Sequence, residues 1–145
     1  MRLGQSFHAY ATMIERDIRR IECARKELFT LNLGGTAIGT TINASDYYLH
    51  HIVPTLAAVT GYPLMQADDL FDATENLDGF VTISNTLKTC AVNLSKMCND
   101  LRLLSSGPRT GFGEINLPPM QNGSSIMPGK INPVIPEVVT QVAFH

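Results

Sequence analysis

The sequence carries none of the features that mark nucleic-acid-binding, membrane-spanning or secreted proteins. Lys and Arg total 11 against 13 for Asp and Glu, so the net charge is −2 and there is no basic field to attract nucleic acid or an anionic membrane. No apolar run approaches the roughly 20 residues that span a bilayer, and the first ten residues contain no apolar core of a secretory signal. We expect a cytoplasmic protein whose partner is a small molecule or a protein, with no nucleic acid and no membrane.

Cysteine is scarce, and its spacing predicts neither a metal site nor a disulfide framework. The three cysteines are Cys23, Cys90 and Cys98, an odd number without CxxC spacing. Cys90 and Cys98 lie eight residues apart on one predicted helix, which rises roughly 12 Å over that distance, too far for a disulfide. We expect reduced, mostly buried thiols. His50 and His51 are interpreted as surface residues, because adjacent helical positions do not face each other.

Helical periodicity dominates the chain. Apolar residues recur every three or four positions from Leu3 to Leu28, with charged residues between them, which predicts an amphipathic helix. The strongest periodic stretch runs from Phe80 to Leu104, about seven turns of helix. Such a helix is longer than a compact domain of 145 residues needs, and its wide apolar stripe requires several neighbours. The sequence therefore predicts an all-α protein, a long-helix bundle that other chains continue.

Shorter elements connect these helices. Residues 31–43 combine three glycines with β-branched residues and no helical period, so they are predicted to form an irregular connection. Ser45 or Asp46 can cap a short helix that runs to Ala58. The acidic residues between positions 68 and 78 are interpreted as solvated helix starts, because exposed backbone N–H groups there carry partial positive charge.

One segment, residues 107–130, is rich in proline and glycine and has neither helical nor strand periodicity, so we expect no regular element in it. Long structureless stretches in compact domains are usually functional lids or else disordered. A helix is predicted to open at Asn132-Pro133. Helical pattern follows Met1 at once and reaches His145 without an end signal, so we expect residues to be missing on both sides.

The side chains that could take part in binding or catalysis lie at the end of that loop. Residues 123–132 contain two serine hydroxyls, the ammonium of Lys130 and the amide of Asn132, together with two glycines that permit close backbone approach. A helix that opens at Pro133 adds its N-terminal dipole, so a carboxylate could bind here. Serines beside glycines also form common turns, and the residues alone leave both possibilities open.

The segment GSSIMPGKINP, residues 123–133, resembles the GSSxMPxKxNP signature of the aspartase/fumarase superfamily. LNLGGTAIGTTIN, residues 31–43, is similar to the GGTAxGTGxN segment of that superfamily. Residues 1–21 and 95–118 resemble its long first bundle helix and the stretch before the signature. The resemblance therefore covers essentially the whole chain.

Within the superfamily, the resemblance is to the aspartate ammonia-lyases more than to the fumarases. The signature continues as NPVIPEVV over residues 132–139, similar to the aspartase NPVxPEVV, whereas fumarases typically carry Thr-Gln after the NP. LLSSGPR at 103–109 and INLP at 115–118 are also similar to the aspartase versions. Thr41 stands where glycine is usual and Ile131 where valine is usual, and neither change removes a chemical group.

The resemblance implies an all-α fold whose central domain contributes five long helices to a twenty-helix core in a homotetramer. Residues 1–145 would then be part of that central helical domain, truncated at both ends, with a mobile catalytic loop at about 107–132. The implied reaction is reversible deamination of L-aspartate to fumarate and ammonia by abstraction of a Cβ proton. No cofactor and no metal is expected. Because each active site would be shared among three subunits, this chain alone is expected to be inactive.

The resemblance also assigns roles to residues. Ser124 matches the general base, which acts as an oxyanion once the loop closes over the substrate. Lys130 and Asn132 match the residues that bind the substrate α-carboxylate, and Ser125 is expected to support the loop or its oxyanion environment at the same substrate-binding site. Glu137 matches a catalytic acidic residue that pairs with a histidine of another subunit, with a plain helix-start charge as the alternative. A fumarase and a non-catalytic helical assembly module are the rival functions.

Overall fold

The computed structural model describes residues 2–145, and about 58% of the chain is helical. In chain order the helices are α1 (Leu3–Ala24), α2 (Asp46–Thr60), α3 (Asp72–Glu75), α4 (Asp78–Leu104) and α5 (Val134–Ala143). The strands, each of two residues, are β1 (Thr30–Leu31), β2 (Met65–Gln66), β3 (Gln121–Asn122) and β4 (Ile131–Asn132). The predicted all-α class is confirmed, since α1 and α4 contain 22 and 27 residues and the strands are minimal.

The chain divides into two compact units. The first unit contains the residues up to Asp17 together with Leu87–His145, and the second contains Ile18–Thr86. Both α1 and α4 contribute residues to each unit, because each helix runs across a boundary. The assignment of residues 1–145 to part of one larger domain stays a prediction.

In the first unit, α1 packs against α4 through polar side chains at matched positions. Tyr10 Oη donates a hydrogen bond to Asp100 Oδ2 at 2.9 Å, and Asn93 Nδ2 donates to both carboxylate oxygens of Asp17 at 2.8 and 3.1 Å. The two pairs lie seven residues apart on each helix and in opposite chain directions, so these parts of the helices are antiparallel. Lys96 forms an ion pair with the same Asp100 oxygen.

The first helix ends earlier than predicted. The α-helix stops at Ala24, and a 3₁₀ turn (Arg25–Phe29) follows it, so a helix that continues to Leu28 is wrong over its last residues. Thr30 is already extended, and β1 pairs in parallel with β2 in the second unit. The α-helix gives way to the tighter 3₁₀ turn before β1 begins. The strand partner of β1 lies about 35 residues further along the chain, so the local periodicity of α1 could not predict where this helix ends.

Residues 32–43 form the predicted irregular connection, whereas Leu31 belongs to β1, so the prediction is wrong for that residue. A Cβ at Gly39 would lie 2.4 Å from Phe71 Cα and 2.5 Å from the carbonyl oxygen of Leu70. Only glycine permits so close an approach between two backbones. Thr41 has a φ of 59°, in the left-handed region that β-branched residues rarely adopt. The chain therefore keeps a strained threonine at the position where the similar family segment carries glycine.

The start and end of α2 follow the predicted signals. Ser45 Oγ accepts a hydrogen bond from the N–H of Tyr48 at 3.2 Å, which confirms the capping role of Ser45. The helix runs to Thr60, slightly beyond its predicted end, and stops at Gly61, which has a φ of 72°. Val53 is 2% exposed and marks the centre of the second unit's small core.

The acidic run from 68 to 78 lies at helix starts, as predicted. Asp69 Oδ1 accepts hydrogen bonds from the N–H groups of Phe71 and Asp72 at 2.9 and 3.2 Å, in the turn that leads into α3. Asp78 occupies the first turn of α4. The periodic stretch predicted from Phe80 is confirmed as α4, which begins two residues earlier.

The three cysteines are free thiols, as predicted, although their burial differs from the expectation. Cys98 is buried and Cys90 is half-buried, and burial raises the pKa of both thiols. Cys23 is exposed, so the prediction of mostly buried thiols is wrong for it. In the part of the chain that the structure describes, no helix combines the length and apolar character needed to cross a bilayer.

Candidate active site

The loop that follows α4 is anchored at its base by Ser106. Its Oγ donates a hydrogen bond to the carbonyl oxygen of Leu103 at 2.6 Å and accepts one from the N–H of Phe112 at 3.1 Å. Its carbonyl oxygen accepts a hydrogen bond from the N–H of Gly113 at 2.8 Å. A Cβ at Gly111 would lie 2.2 Å from the Ser106 carbonyl carbon, so this fold requires glycine there. The loop therefore starts as a compact turn against the end of α4.

Two short strands close the signature segment into a loop of its own. β3 and β4 are antiparallel, with Gln121 opposite Asn132 and Asn122 opposite Ile131. The prediction that residues 107–130 contain no regular element is therefore wrong for β3. Polar residues such as these carry little strand propensity, and their pairing depends on backbone hydrogen bonds across the loop rather than on a local pattern.

Gly123 is in close contact with Lys130 and Asn132 of the signature. The N–H of Gly123 donates a hydrogen bond to the carbonyl oxygen of Lys130 at 2.8 Å. A Cβ on Gly123 would lie 2.8 Å from Lys130 Cγ and 3.1 Å from Asn132 Oδ1. The lack of a side chain at this position lets the Lys130 stem and the Asn132 amide lie against the backbone that precedes Ser124. Lys130 and Asn132, two of the five predicted site residues, thus lie against the residue that precedes Ser124.

The polar groups of this loop are open to a ligand. Ser124 Oγ accepts a hydrogen bond from the N–H of Ile126 at 3.3 Å and is partly exposed. Ser125 and Lys130 are exposed, and within residues 2–145 neither side chain has a hydrogen-bond or ion-pair partner. Ile126 is 85% exposed, so the tip of the loop also presents an apolar side chain to its surroundings.

Glu137 lies in the first turn of α5, immediately after the signature. Its Oε1 is 3.7 Å from Nη2 of Arg102, which lies in the last turn of α4. Both side chains are about half exposed. The sequence reasoning missed Arg102, because nothing in the local pattern of α4 indicates that this residue meets a carboxylate 35 positions later.

Other clusters of polar side chains lie in the second unit. A cavity of about 590 Å³ is lined partly by the acidic run, including Asp68 and Asp72. Among residues 2–145, no group of three or more His, Cys, Asp or Glu side chains is arranged to hold a metal ion. His50 and His51 are exposed on α2, and each Nδ1 lies 2.7 Å from the carbonyl oxygen four residues earlier. Their predicted surface position is confirmed.

The sequence is similar to known proteins along its whole length. The model of a protein family described as lyase matches residues 1–145. The aspartate ammonia-lyase of Pseudomonas aeruginosa is 61% identical, with 100% of this chain and 31% of the relative covered. That of Bacillus subtilis is 52% identical, covering 100% and 30%, and that of Escherichia coli is 51% identical, covering 99% and 30%. The chain therefore spans about a third of the length of these relatives.

Solved structures show the same helical arrangement. A crystal structure described as fumarate lyase:delta crystallin from Brucella melitensis bound to cobalt is 51% identical, with a TM-score of 0.89. The match covers 98% of this chain and 31% of that chain. The class II fumarase of Schistosoma mansoni is 31% identical with a TM-score of 0.92, covering 99% and 33%. The backbone is thus similar across relatives that carry different names, so residues of the site must distinguish between them.

Proposed function

The chain belongs to the lyase family, and from that premise we propose that it forms part of a carbon–nitrogen lyase that converts L-aspartate reversibly into fumarate and ammonia. The observation that carries the proposal is the signature loop, in which Lys130 and Asn132 pack against Gly123, the residue before Ser124. Support also comes from relatives named aspartate ammonia-lyase, which are 51–61% identical over essentially the whole chain.

The chemical difficulty of this reaction is the low acidity of the Cβ proton. Its removal builds a second negative charge on the β-carboxylate of aspartate. An enzyme must therefore place hydrogen-bond donors where that charge develops, and a base where the proton leaves. A loop that excludes water as it closes strengthens both contributions, because charges interact more strongly in a medium of low polarity.

We assign the role of base to Ser124, acting as an oxyanion once the loop closes over the substrate. A free hydroxyl is a weak base, so its ionised form needs nearby donors. The N–H of Ile126 already donates to Ser124 Oγ at 3.3 Å, and this hydrogen bond would strengthen as negative charge forms on the oxygen. Closure on substrate binding then completes the site.

We assign binding of the substrate α-carboxylate to Lys130 and Asn132. The Lys130 ammonium has no partner within residues 2–145, so no other residue of the loop neutralises its charge. The stem of the side chain packs against Gly123, which limits its movement. Asn132 supplies an amide from β4, a paired element that limits its movement. Ser125 is proposed to support the loop or the oxyanion environment.

The remaining part of the site is proposed to come from other subunits of a homotetramer with shared active sites. In that assembly Glu137 pairs with a histidine contributed by another subunit and so tunes the acid–base chemistry of the site. The chain alone is accordingly proposed to be inactive, and its cytoplasmic location stays a prediction. The exposed apolar side chains of α5, including Ile135 and Val142, are consistent with further helices packing there.

A fumarase is the second candidate function, and the class II fumarase of Schistosoma mansoni, with its TM-score of 0.92, favours it at the level of the backbone. Its 31% identity is well below the 51–61% of the relatives named aspartate ammonia-lyase, and NPVIPEVV at 132–139 is similar to the aspartase version of the signature. A non-catalytic helical assembly module remains the third candidate.

The test is turnover by the intact protein, followed by absorbance of fumarate, with L-aspartate and L-malate supplied separately. We expect fumarate from L-aspartate, and we expect Ser124→Ala to lower kcat by about 10²- to 10⁴-fold because it removes the base. Ser84→Ala, an exposed serine on α4, is the matched control and should leave kcat unchanged. Turnover of malate alone would identify a fumarase, and turnover of neither substrate would favour the assembly module. Full activity of Ser124→Ala would exclude the serine base.

A further inference from the structure

The ion pair between Arg102 and Glu137 joins the two helices that bracket the catalytic loop. Arg102 lies in the last turn of α4 and Glu137 in the first turn of α5, with the whole loop between them in the chain. Within residues 2–145, the ion pairs between Arg25 and Glu22 and between Lys96 and Asp100 join residues only three or four positions apart. The Arg102–Glu137 contact is therefore long-range and joins the two helix ends between which the loop runs.

Both members of the pair are favourably located for their charge. A cation in the last turn of α4 faces the partial negative end of that helix, and an anion in the first turn of α5 faces the partial positive end of its helix. The contact reaches Oε1 of Glu137 at 3.7 Å, and a carboxylate has two oxygens that accept hydrogen bonds from several donors. Glu137 can therefore keep Arg102 and bind a second cationic partner as well.

We propose that Arg102 is a positioning residue that holds the Glu137 carboxylate oriented toward its histidine partner. This inference rests on the proposed function, in which that histidine comes from another subunit. Arg102 touches neither substrate nor the reacting atoms, and it acts only through Glu137. Both side chains are about half exposed, so solvent screens the pair and its effect on catalysis is small compared with the loss of the base.

The experiment is a double-mutant cycle on kcat in the intact protein. Arg102→Gln should lower kcat by about fivefold with KM changed by less than about twofold, the upper range for one partly exposed ion pair. Arg102→Lys retains the charge and should restore kcat to within about twofold of the unmodified protein. In a Glu137→Gln background, Arg102→Gln should have no further effect, because the carboxylate through which it acts is already gone.

Arg25→Gln is the matched control, because it removes an exposed arginine from a different ion pair and should leave kcat unchanged. If Arg102→Gln does not assemble, Arg102→Met, which keeps the apolar stem without the charge, takes its place in the cycle. An unchanged kcat, or an equal loss in the Glu137→Gln background, overturns the inference. Full activity of Glu137→Gln also overturns it, but leaves the function intact as long as Ser124→Ala is inactive on L-aspartate.

Discussion

The helix pair of the first unit and the signature loop use polar side chains in opposite ways. Between α1 and α4, Asp17 receives two hydrogen bonds from Asn93 while only 3% exposed, and Tyr10 donates to Asp100. In the loop, the Lys130 ammonium is exposed and has no partner within residues 2–145. The polar side chains between α1 and α4 therefore stabilise the fold, whereas those of the signature loop stay available to a ligand.

The difference follows from what each region must keep constant. Two polar pairs seven residues apart oppose slippage of one helix along the other, because any other register would bury a carboxylate away from its donors. A substrate-binding loop needs the reverse, since groups already paired within the protein would have to be released before binding. Its shape is held by backbone hydrogen bonds, such as that from Gly123 to Lys130, which leave the side chains free.

Removal of the loop cation should have a large effect on catalysis and little effect on folding. Lys130→Met keeps the apolar stem that packs against Gly123 and deletes the charge. Loss of a charge-assisted hydrogen bond of about 1.5–3 kcal/mol predicts a fall in kcat/KM of roughly 10- to 150-fold, measured with L-aspartate on the intact protein. Lys88→Met, an exposed lysine of α4, should leave kcat/KM unchanged. Equal losses in both variants would contradict a specific role for Lys130.

Removal of hydrogen bonds between α1 and α4 should have the opposite effect: it should lower the stability of the protein and leave its turnover nearly unchanged. Asn93→Ala removes both hydrogen bonds from this side chain to the buried Asp17 carboxylate, so we expect the free energy of unfolding to fall by about 1–3 kcal/mol at fixed protomer concentration. Asn99→Ala, at an exposed position of the same helix, should be neutral or slightly stabilising because alanine favours helix. Similar changes in the two variants would show that the buried pair contributes nothing.

Substitution by glycine should change stability with opposite sign at two threonines, one in the irregular connection 32–43 and one in α1. Thr41→Gly relieves the left-handed conformation at φ 59°, so we expect a gain of up to about 1 kcal/mol in the free energy of unfolding. Thr12→Gly, at an exposed position inside α1, should lose about 0.5–1 kcal/mol because glycine is costly in a helix. Thermal or denaturant unfolding of the intact protein measures both. A loss in both variants would contradict strain at Thr41.

Much of the fold follows from local patterns, as particular elements show. The 3–4 spacing from Phe80 to Leu104 predicted α4 to within two residues, and the Ser45 cap predicted the start of α2. These features are local, because periodicity and capping involve residues one or two helical turns apart. The end of α1 and the strand pair β3–β4 were missed because each depends on a partner distant in the chain.

In the candidate site too, some features could be predicted from the sequence and others required the folded structure. The residue types from Ser124 to Asn132 were identified by their resemblance to the superfamily signature, and Glu137 by the segment that follows it, and their roles stay predictions. Arg102 and the packing of Lys130 and Asn132 on Gly123 became visible only in the folded chain, as did the positive φ of Thr41 outside the site. Chemistry depends on residue type, which a sequence states directly, whereas orientation and strain depend on which distant groups the folded backbone brings within a few ångströms.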